Sequence, residues 1–239
     1  MNRMSAGACA MALALLLIAA AGPARAEAPE KAVCRVCEMR GAMHGAEKVA
    51  ASRTYEGKDY HFCSDKCAEA FDAFPAGYAV HPLPRPAPQA VLTTTEGEEI
   101  TLGATGDGVV LVDFWATWCA PCKKAMPELE RLHRELEPRG FGVVGVSIDE
   151  DAGAVEKFLR KNELGYPTAI DSPESPTWYA YSVAAIPAMF LIDGEGRIVG
   201  EWRGAIDMGT VREHVEELLG RADEGAGEGA GDAGDGEEG

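Results

Sequence analysis

Apolar and polar positions change period several times along this chain, and each change predicts an element. VVLVDFW at 109–115 is a short apolar run, rich in β-branched residues and bounded by Gly108, the pattern of a buried strand. After it, Met126, Leu129, Leu132, His133 and Leu136 recur at helical spacing, and Gly140 stands just past the end. The alternation then continues. FGVVGVSID reads as a strand, DAGAVEKFLRKNEL as a helix, YPTAID as a short strand, SPTWYAYSV as a helix and IPAMFLID as a strand. Gly194-Glu195-Gly196 makes a turn into the strand RIVGEWRG, and MGTVREHVEELL closes as a helix. A polar hairpin, VLTTTEGEEITLG, precedes them all. This order predicts an α/β fold with a central mixed sheet flanked by helices. The last two strands pair antiparallel, since only a turn joins them.

Before residue 89 the pattern differs. TYEGKDYHF predicts a hairpin with Glu56-Gly57 at its turn. Ser64-Asp65 caps a helix through Cys67, Ala70, Phe71 and Phe74, which Pro75 stops. VHPLPRPAPQ reads as a stiff, extended linker. The expected division is a leader at 1–26, a small cysteine-rich hairpin-plus-helix unit at 30–82, a linker at 83–88, a larger domain at 89–220 and a tail at 221–239.

Composition sharpens this division. The chain has 239 residues, 46% of them hydrophobic, enough to bury a core. Its formal charge of -17 argues against nucleic acid or an anionic membrane surface as partner. The last nineteen residues, RADEGAGEGAGDAGDGEEG, contain no large apolar side chain and read as a disordered acidic, Gly-rich tail. At the other end, Arg3, the apolar run MALALLLIAAA and Ala24-Arg25-Ala26 have the layout of a signal peptide cut after Ala26. Export to the periplasm is the expectation; the alternative is an uncut segment acting as a weak membrane anchor. Cys9 precedes the apolar run, the wrong side for a lipidated cysteine.

Six cysteines remain: 34, 37, 63, 67, 119 and 122. Cys119-Ala120-Pro121-Cys122 lies where a strand hands over to a helix N-terminus. Unpaired amides and the helix dipole stabilise negative charge there, so a thiol pKa can fall from about 8.5 to roughly 3.5–7.5. Cys119 is therefore read as the attacking thiolate and Cys122, one turn further in, as the resolving thiol. DFWATWCAPC resembles the active site of thioredoxin-fold proteins, and the resemblance spans about 89–220. Asp113 matches their buried aspartate, Pro127 the proline of the active-site helix, and Ile186-Pro187 the cis-proline facing the redox pair. With FLIDGEG and the extra residues before Pro187, the likeness is to the TlpA/ResA group. It implies an exported thiol-disulfide oxidoreductase, a reductant of client proteins in cytochrome c maturation or at copper sites. It also implies a membrane thiol donor of CcdA/DsbD type, and a client groove at Trp118, Ala120, Pro121 and Ile186. Many ResA-like members carry a glutamate three residues after the second cysteine, where this chain has Ala125. Asp113 is then the acid expected to handle the proton of Cys122.

The other four cysteines have the spacing C-x2-C, 25 residues, C-x3-C. Two short-spaced pairs suit a tetrahedral thiolate site. The segment resembles the YHS/TRASH metal-binding domains through Val36-Cys37-Glu38-Met39, Tyr55, Tyr60, the Phe62-Cys63-Ser64 run to Cys67, and Phe71, Phe74 and Pro75. That likeness implies Cys37, Cys63 and Cys67 as ligands, with Cys34 as the natural fourth. Glu38 stands where the family usually has glycine. His44, His61 and His81 are conceivable ligands but read as surface or hairpin residues. Zinc or copper(I) suits four thiolates. The spacing equally admits disulfides, Cys34–Cys37 and Cys63–Cys67 or a cross-link between the pairs. The neighbouring redox pair would in that case reduce them so that they take metal. Two functions follow: a disulfide reductase, or a copper- or zinc-handling protein whose thioredoxin domain maintains the thiolate ligands.

Overall fold

The computed structural model describes residues 28–42, 45–104, 106, 108–174 and 176–228. The leader at 1–26, His44 and the tail beyond 228 lie outside the described residues.

The small unit opens with β1 (Lys31–Ala32), α1 (Arg35–Met39) and β2 (Glu47–Lys48), β1 and β2 pairing antiparallel. β3 (Ala51–Tyr55) and β4 (Lys58–Phe62) form the expected hairpin. Its turn residues Glu56 and Gly57 have φ of 49° and 75°, as a two-residue hairpin loop demands. α2 (Asp65–Ala73) starts at Ser64, whose Oγ accepts the Cys67 N–H at 3.3 Å. It ends one residue before the expected Phe74, because the following Pro75 drives Phe74 out of helical backbone, to φ -151° and ψ 71°. Pro75 then opens α3 (Pro75–Tyr78). The core of this unit is Phe71, with ring centroids 5.0 Å from Tyr60 and 5.1 Å from Phe62, closed by Val36, Met39 and Tyr78.

The proline-rich run is no free spacer. β5 (Arg85–Pro86) joins the edge of the large sheet. An edge strand tolerates proline because its outward N–H has no partner to lose. The large unit continues with the hairpin of β6 (Ala90–Thr93) and β7 (Glu99–Leu102). Then follow β8 (Val109–Trp115), α4 (Ala120–Leu136), β9 (Phe141–Ser147), α5 (Ala152–Leu159), β10 (Thr168–Ile170), α6 (Thr177–Ala180), β11 (Ala188–Ile192), β12 (Arg197–Arg203) and α7 (Met208–Glu228). The sheet order is β10-β9-β8-β11-β12-β5. β8, β9 and β10 run parallel; β11 is antiparallel to β8 and β12, and β5 to β12. The mixed α/β sheet is the one the element order predicts.

Both faces of β8 are buried. Val112 and Phe114 pack with Tyr181 and Phe190 on one side. Leu111 packs beneath α4 and α7 with Leu129, Leu132, Val211 and Val215 on the other. α7 runs past the expected boundary at 220, carried across it by an i, i+4 ion pair of Arg221 with Glu217.

The two units are docked. The buried Arg203 side chain donates to Gly77 O at 2.9 Å, to Ser182 O, and to Glu201 Oε1 at 2.6 Å. Phe74 stacks on Tyr179 with centroids 5.2 Å apart. Gly204 has φ +77°, and a Cβ there would meet Met39 O at 2.9 Å, so α1 rests directly on the end of β12.

Candidate functional site

Cys119 and Cys122 are joined by a disulfide with their Cα atoms 5.4 Å apart. Strand β8 ends in the core at Trp115, and the chain must turn before α4. Asp149 fixes that turn: its carboxylate accepts Thr117 N–H at 2.8 Å, Thr117 Oγ1 at 2.6 Å and Ser147 Oγ at 2.8 Å. Cys119 is thereby set at the N-cap of α4, and the Cys122 N–H donates to its sulfur at 3.2 Å. Cys119 is 4% exposed and Cys122 1%, both packed with Trp115, Ala116, Met126 and Val155, and Ile186 lies against them. Trp118 stands out at 66% exposure. The Ile186–Pro187 bond is cis, as the likeness implied. Pro187 and Pro121 share the wall of a cleft of about 470 Å³ with Lys124, Gly204, Asp207 and Met208.

Asp113 lies in β8, and neither carboxylate oxygen has a hydrogen-bond partner among the described residues. Burial alone pushes its pKa up to about 7. Trp115 Nε1, Tyr166 Oη and Thr168 Oγ1 are likewise buried without partners. Sequence patterning did not find these three. The one signal was Gly145, a glycine inside an apolar strand, where close approach of other groups is expected.

In the small unit Cys34, Cys37, Cys63 and Cys67 are free thiols whose sulfurs all lie within 4.8 Å of one another. α1 brings Cys37, its N-cap position brings Cys34, the end of β4 leads to Cys63, and the first turn of α2 carries Cys67. Cys37 Sγ is 3.5 Å from Cys63 and 3.7 Å from Cys67, and Cys63 is 3.9 Å from Cys67. Metal–sulfur bonds of about 2.3 Å in a tetrahedron require sulfur edges of about 3.8 Å, so the set fits such an ion. Burial and the crowding thiols of Cys63, Cys34 and Cys67 push the Cys37 thiol far up. His61 and His81 stay outside the cluster; His61 Nδ1 pairs with Ser52 Oγ at 2.8 Å and His81 Nε2 with Ala76 O at 2.8 Å.

The AhpC/TSA family model matches residues 83–200, and the YHS domain model matches 46–81. The thiol-disulfide oxidoreductase ResA of Bacillus thuringiensis subsp. konkukian is 34% identical over 133 residues, 56% of this chain and 74% of that protein. The chain belongs to the ResA family of thiol-disulfide oxidoreductases.

Among solved structures, a Chlorobium tepidum protein described as thiol:disulfide interchange protein DsbE is similar at 29% identity and a TM-score of 0.52. That match covers 60% of this chain and 99% of the other. The thioredoxin domain of a Bacteroides vulgatus thiol-disulfide oxidoreductase is similar at 25% identity and a TM-score of 0.51, covering 57% and 99%. The ResA-type unit is thus a thioredoxin-like oxidoreductase domain, and the small unit is an addition in front of it. The YHS match contains Cys63 and Cys67 but starts after Cys34 and Cys37. The fold brings those two in from outside it. Among the described residues no helix is long and apolar enough to cross a membrane.

Proposed function

We propose that this ResA-family protein reduces disulfides of client proteins in the periplasm, with Cys119 as nucleophile and Cys122 as resolving thiol. One observation carries the reading: the Cys119 sulfur sits at the N-cap of a seventeen-residue helix and accepts the Cys122 N–H, the environment that favours a thiolate. In the reduced protein Cys119 S⁻ attacks a client disulfide; that bond breaks, one client thiolate leaves, and a mixed disulfide forms. Asp113 takes the proton of Cys122, and Cys122 attacks the Cys119 sulfur. The Cys119–Cys122 bond forms and the second client thiolate departs, so two electrons have passed to the client. A membrane thiol donor of CcdA/DsbD type then restores the dithiol. Trp118, Ala120, Pro121, Ile186 and Pro187 flank the proposed client groove, and the clients proposed are proteins of cytochrome c maturation or copper-site assembly.

Cys34, Cys37, Cys63 and Cys67 are assigned to zinc or copper(I), supported by sulfur spacings near a tetrahedral edge. A bound ion would supply the positive charge that lets four thiolates stay together. The chain's own contribution is to hold α1 against the start of α2 through Val36, Met39 and Phe71. A second reading, metal handling with the thioredoxin unit maintaining the ligands, is favoured by the docking of α1 on Gly204, whose N–H donates to Pro187 O at 3.0 Å.

The experiment pairs metal analysis with turnover on a protein disulfide. About one ion per chain, lost in Cys63→Ser/Cys67→Ser while turnover persists, is the expected result for a reductase with a separate metal centre. Cys119→Ser abolishes turnover and Cys122→Ser accumulates mixed disulfide. Full turnover in Cys119→Ser would refute the reductase. Turnover lost with the metal would favour the second reading.

A further inference from the structure

Five buried polar atoms without partners belong to residues gathered around Gly145 on one face of the sheet. Asp113 in β8, Gly145 in β9 and Thr168 in β10 are register partners across three adjacent parallel strands. Their side chains share one face, and at the usual strand spacing Asp113 and Thr168 stand about 10 Å apart with only a glycine between them. A Cβ on Gly145 would lie 3.0 Å from Thr168 Oγ1, 3.2 Å from Trp115 Nε1 and 3.4 Å from Tyr166 Cε2. Both oxygens of Asp113, Trp115 Nε1, Tyr166 Oη and Thr168 Oγ1 are unpartnered among the described residues, and each of the four residues is at most 4% exposed. Leaving so many buried donors and acceptors unpaired at one place is costly, unless they serve a common ligand. On the far side, Tyr166 and Thr168 line an open cleft of about 490 Å³ with Thr95, Leu159, Glu163 and Leu164. β10 is the last strand of the sheet on this side, flanked by Thr94 and Thr95, whose N–H donates to Thr168 O at 2.9 Å, so a way from Asp113 to this cleft does not cross the disulfide.

We propose that the unpartnered polar cluster packed over Gly145 is a water-holding proton passage, by which Asp113 exchanges its proton with the cleft through Thr168 and Tyr166. It rests on the reading that Asp113 serves Cys122. When Cys122 is deprotonated, its proton goes to a carboxylate oxygen of Asp113. From there it passes to water held by Trp115 and Thr168, and the Thr168 hydroxyl hands one proton on as it receives another. No electrons move in these steps, so no co-reactant is needed. Thr168 and Tyr166 are positioning residues, and Gly145, having no Cβ, lets them and Trp115 close in over the sheet. The other groups facing Asp113 and Tyr166 are accounted for. Burial, then the charges of Asp113 and Glu130, raise the Tyr166 hydroxyl. From α4, Glu130 accepts Gly165 N–H at 2.6 Å and pairs with Arg134 at 2.9 Å, while His133 meets the Tyr166 ring edge-on with centroids 6.1 Å apart. From β11 the register partner of Asp113 is Met189, and α7 presents Val211 and Val215.

The test is stopped-flow reduction of the full-length oxidised protein by dithiothreitol, followed by tryptophan fluorescence from pH 5 to 9 and normalised to dithiothreitol thiolate. In this direction Cys122 leaves as thiolate and draws its proton back through Asp113. Thr168→Val is expected to slow the step roughly tenfold, a part of the 10²–10⁴ that positioned proton transfer supplies, and to raise the solvent isotope effect. Thr168→Ser restores both, and Tyr166→Phe gives a smaller loss. Gly145→Ala repeats the Thr168→Val result; should it not fold, the other two variants carry the test alone. Asp113→Asn separates the two claims. If it removes the pH step while Thr168→Val reacts like the parent, the passage is wrong and the role of Asp113 stands. If Asp113→Asn leaves the pH profile unchanged, that role falls and the passage falls with it.

Discussion

A carboxyl group with no hydrogen-bond partner in the core acts on stability as well as on chemistry. Asp113 titrates near 7 in the folded, oxidised protein against an ordinary value of 3.8, because burial disfavours its charge. Below pH 4 it is protonated in both folded and unfolded chains and costs nothing. As pH rises from 4 to 7 the unfolded chain ionises first, so stability falls, and above 7 the loss is complete. Asp113→Asn should therefore be more stable than the parent at pH 8, by about 2–4 kcal/mol, and nearly equal to it at pH 4. Urea unfolding of the oxidised protein at the two pH values checks this; an equal difference at both would refute it. The cysteines were legible in the sequence because their spacing and their place at a strand–helix junction carry the chemistry. Tyr166 and Thr168 were not. Thr168 is related to Asp113 by register across three strands, and Tyr166 by its place just before β10, neither of which a local pattern encodes.

Elements longer than five residues were legible for the same local reasons: period, caps and turn residues. The elements missed were β1, β2 and β5, of two residues each, α3, of four, and α1, of five. Such short pieces show no period and exist through tertiary contacts, as α1 does through Val36 and Met39 in the small core. The Ser64 cap was legible, and it places a ligand as well as starting a helix, since the N–H it holds belongs to Cys67. Ser64→Ala should cost about 1 kcal/mol. Carried into the site, that is roughly a fivefold loss of metal affinity. Competition with a chromophoric chelator reads the change. An unaltered affinity would mean that the metal, when bound, orders the turn by itself.

At the scale of the molecule, Arg203 joins the two units. Burial raises the Glu201 carboxyl, but the Arg203 and Arg85 guanidiniums outweigh it and hold the pKa below the usual range. Arg203→Ala removes the bond to Gly77 O and leaves Glu201 to Arg85, 2.7 Å away. The expected loss is about 1–3 kcal/mol, since Glu201 keeps a partner while the Gly77 and Ser182 carbonyls lose theirs. Scanning calorimetry should show a single transition in the parent and two in the variant, the small unit melting first. A single transition in both would show that Phe74 on Tyr179 suffices to hold the units together. The sequence set the boundary at the proline run, which the sheet takes up as β5, and could not show the units docked. A Pro-rich segment has the same composition whether it spans solvent or lies along a sheet, and Arg203 reads like any charged residue at a strand end.

The strand β5 also changes what counts as a detachable piece. Ala87 N–H donates to Gly196 O at 2.9 Å, and Arg85 and Pro86 cover Ile198 and Arg197. A thioredoxin-like module excised at residue 89 would begin one strand too late, with the margin of β12 open to the next molecule it met. The cysteine-rich unit and the ResA-type domain are not two modules strung on a thread. The seam became part of the cloth, and transplanting either half intact means cutting upstream of Arg85.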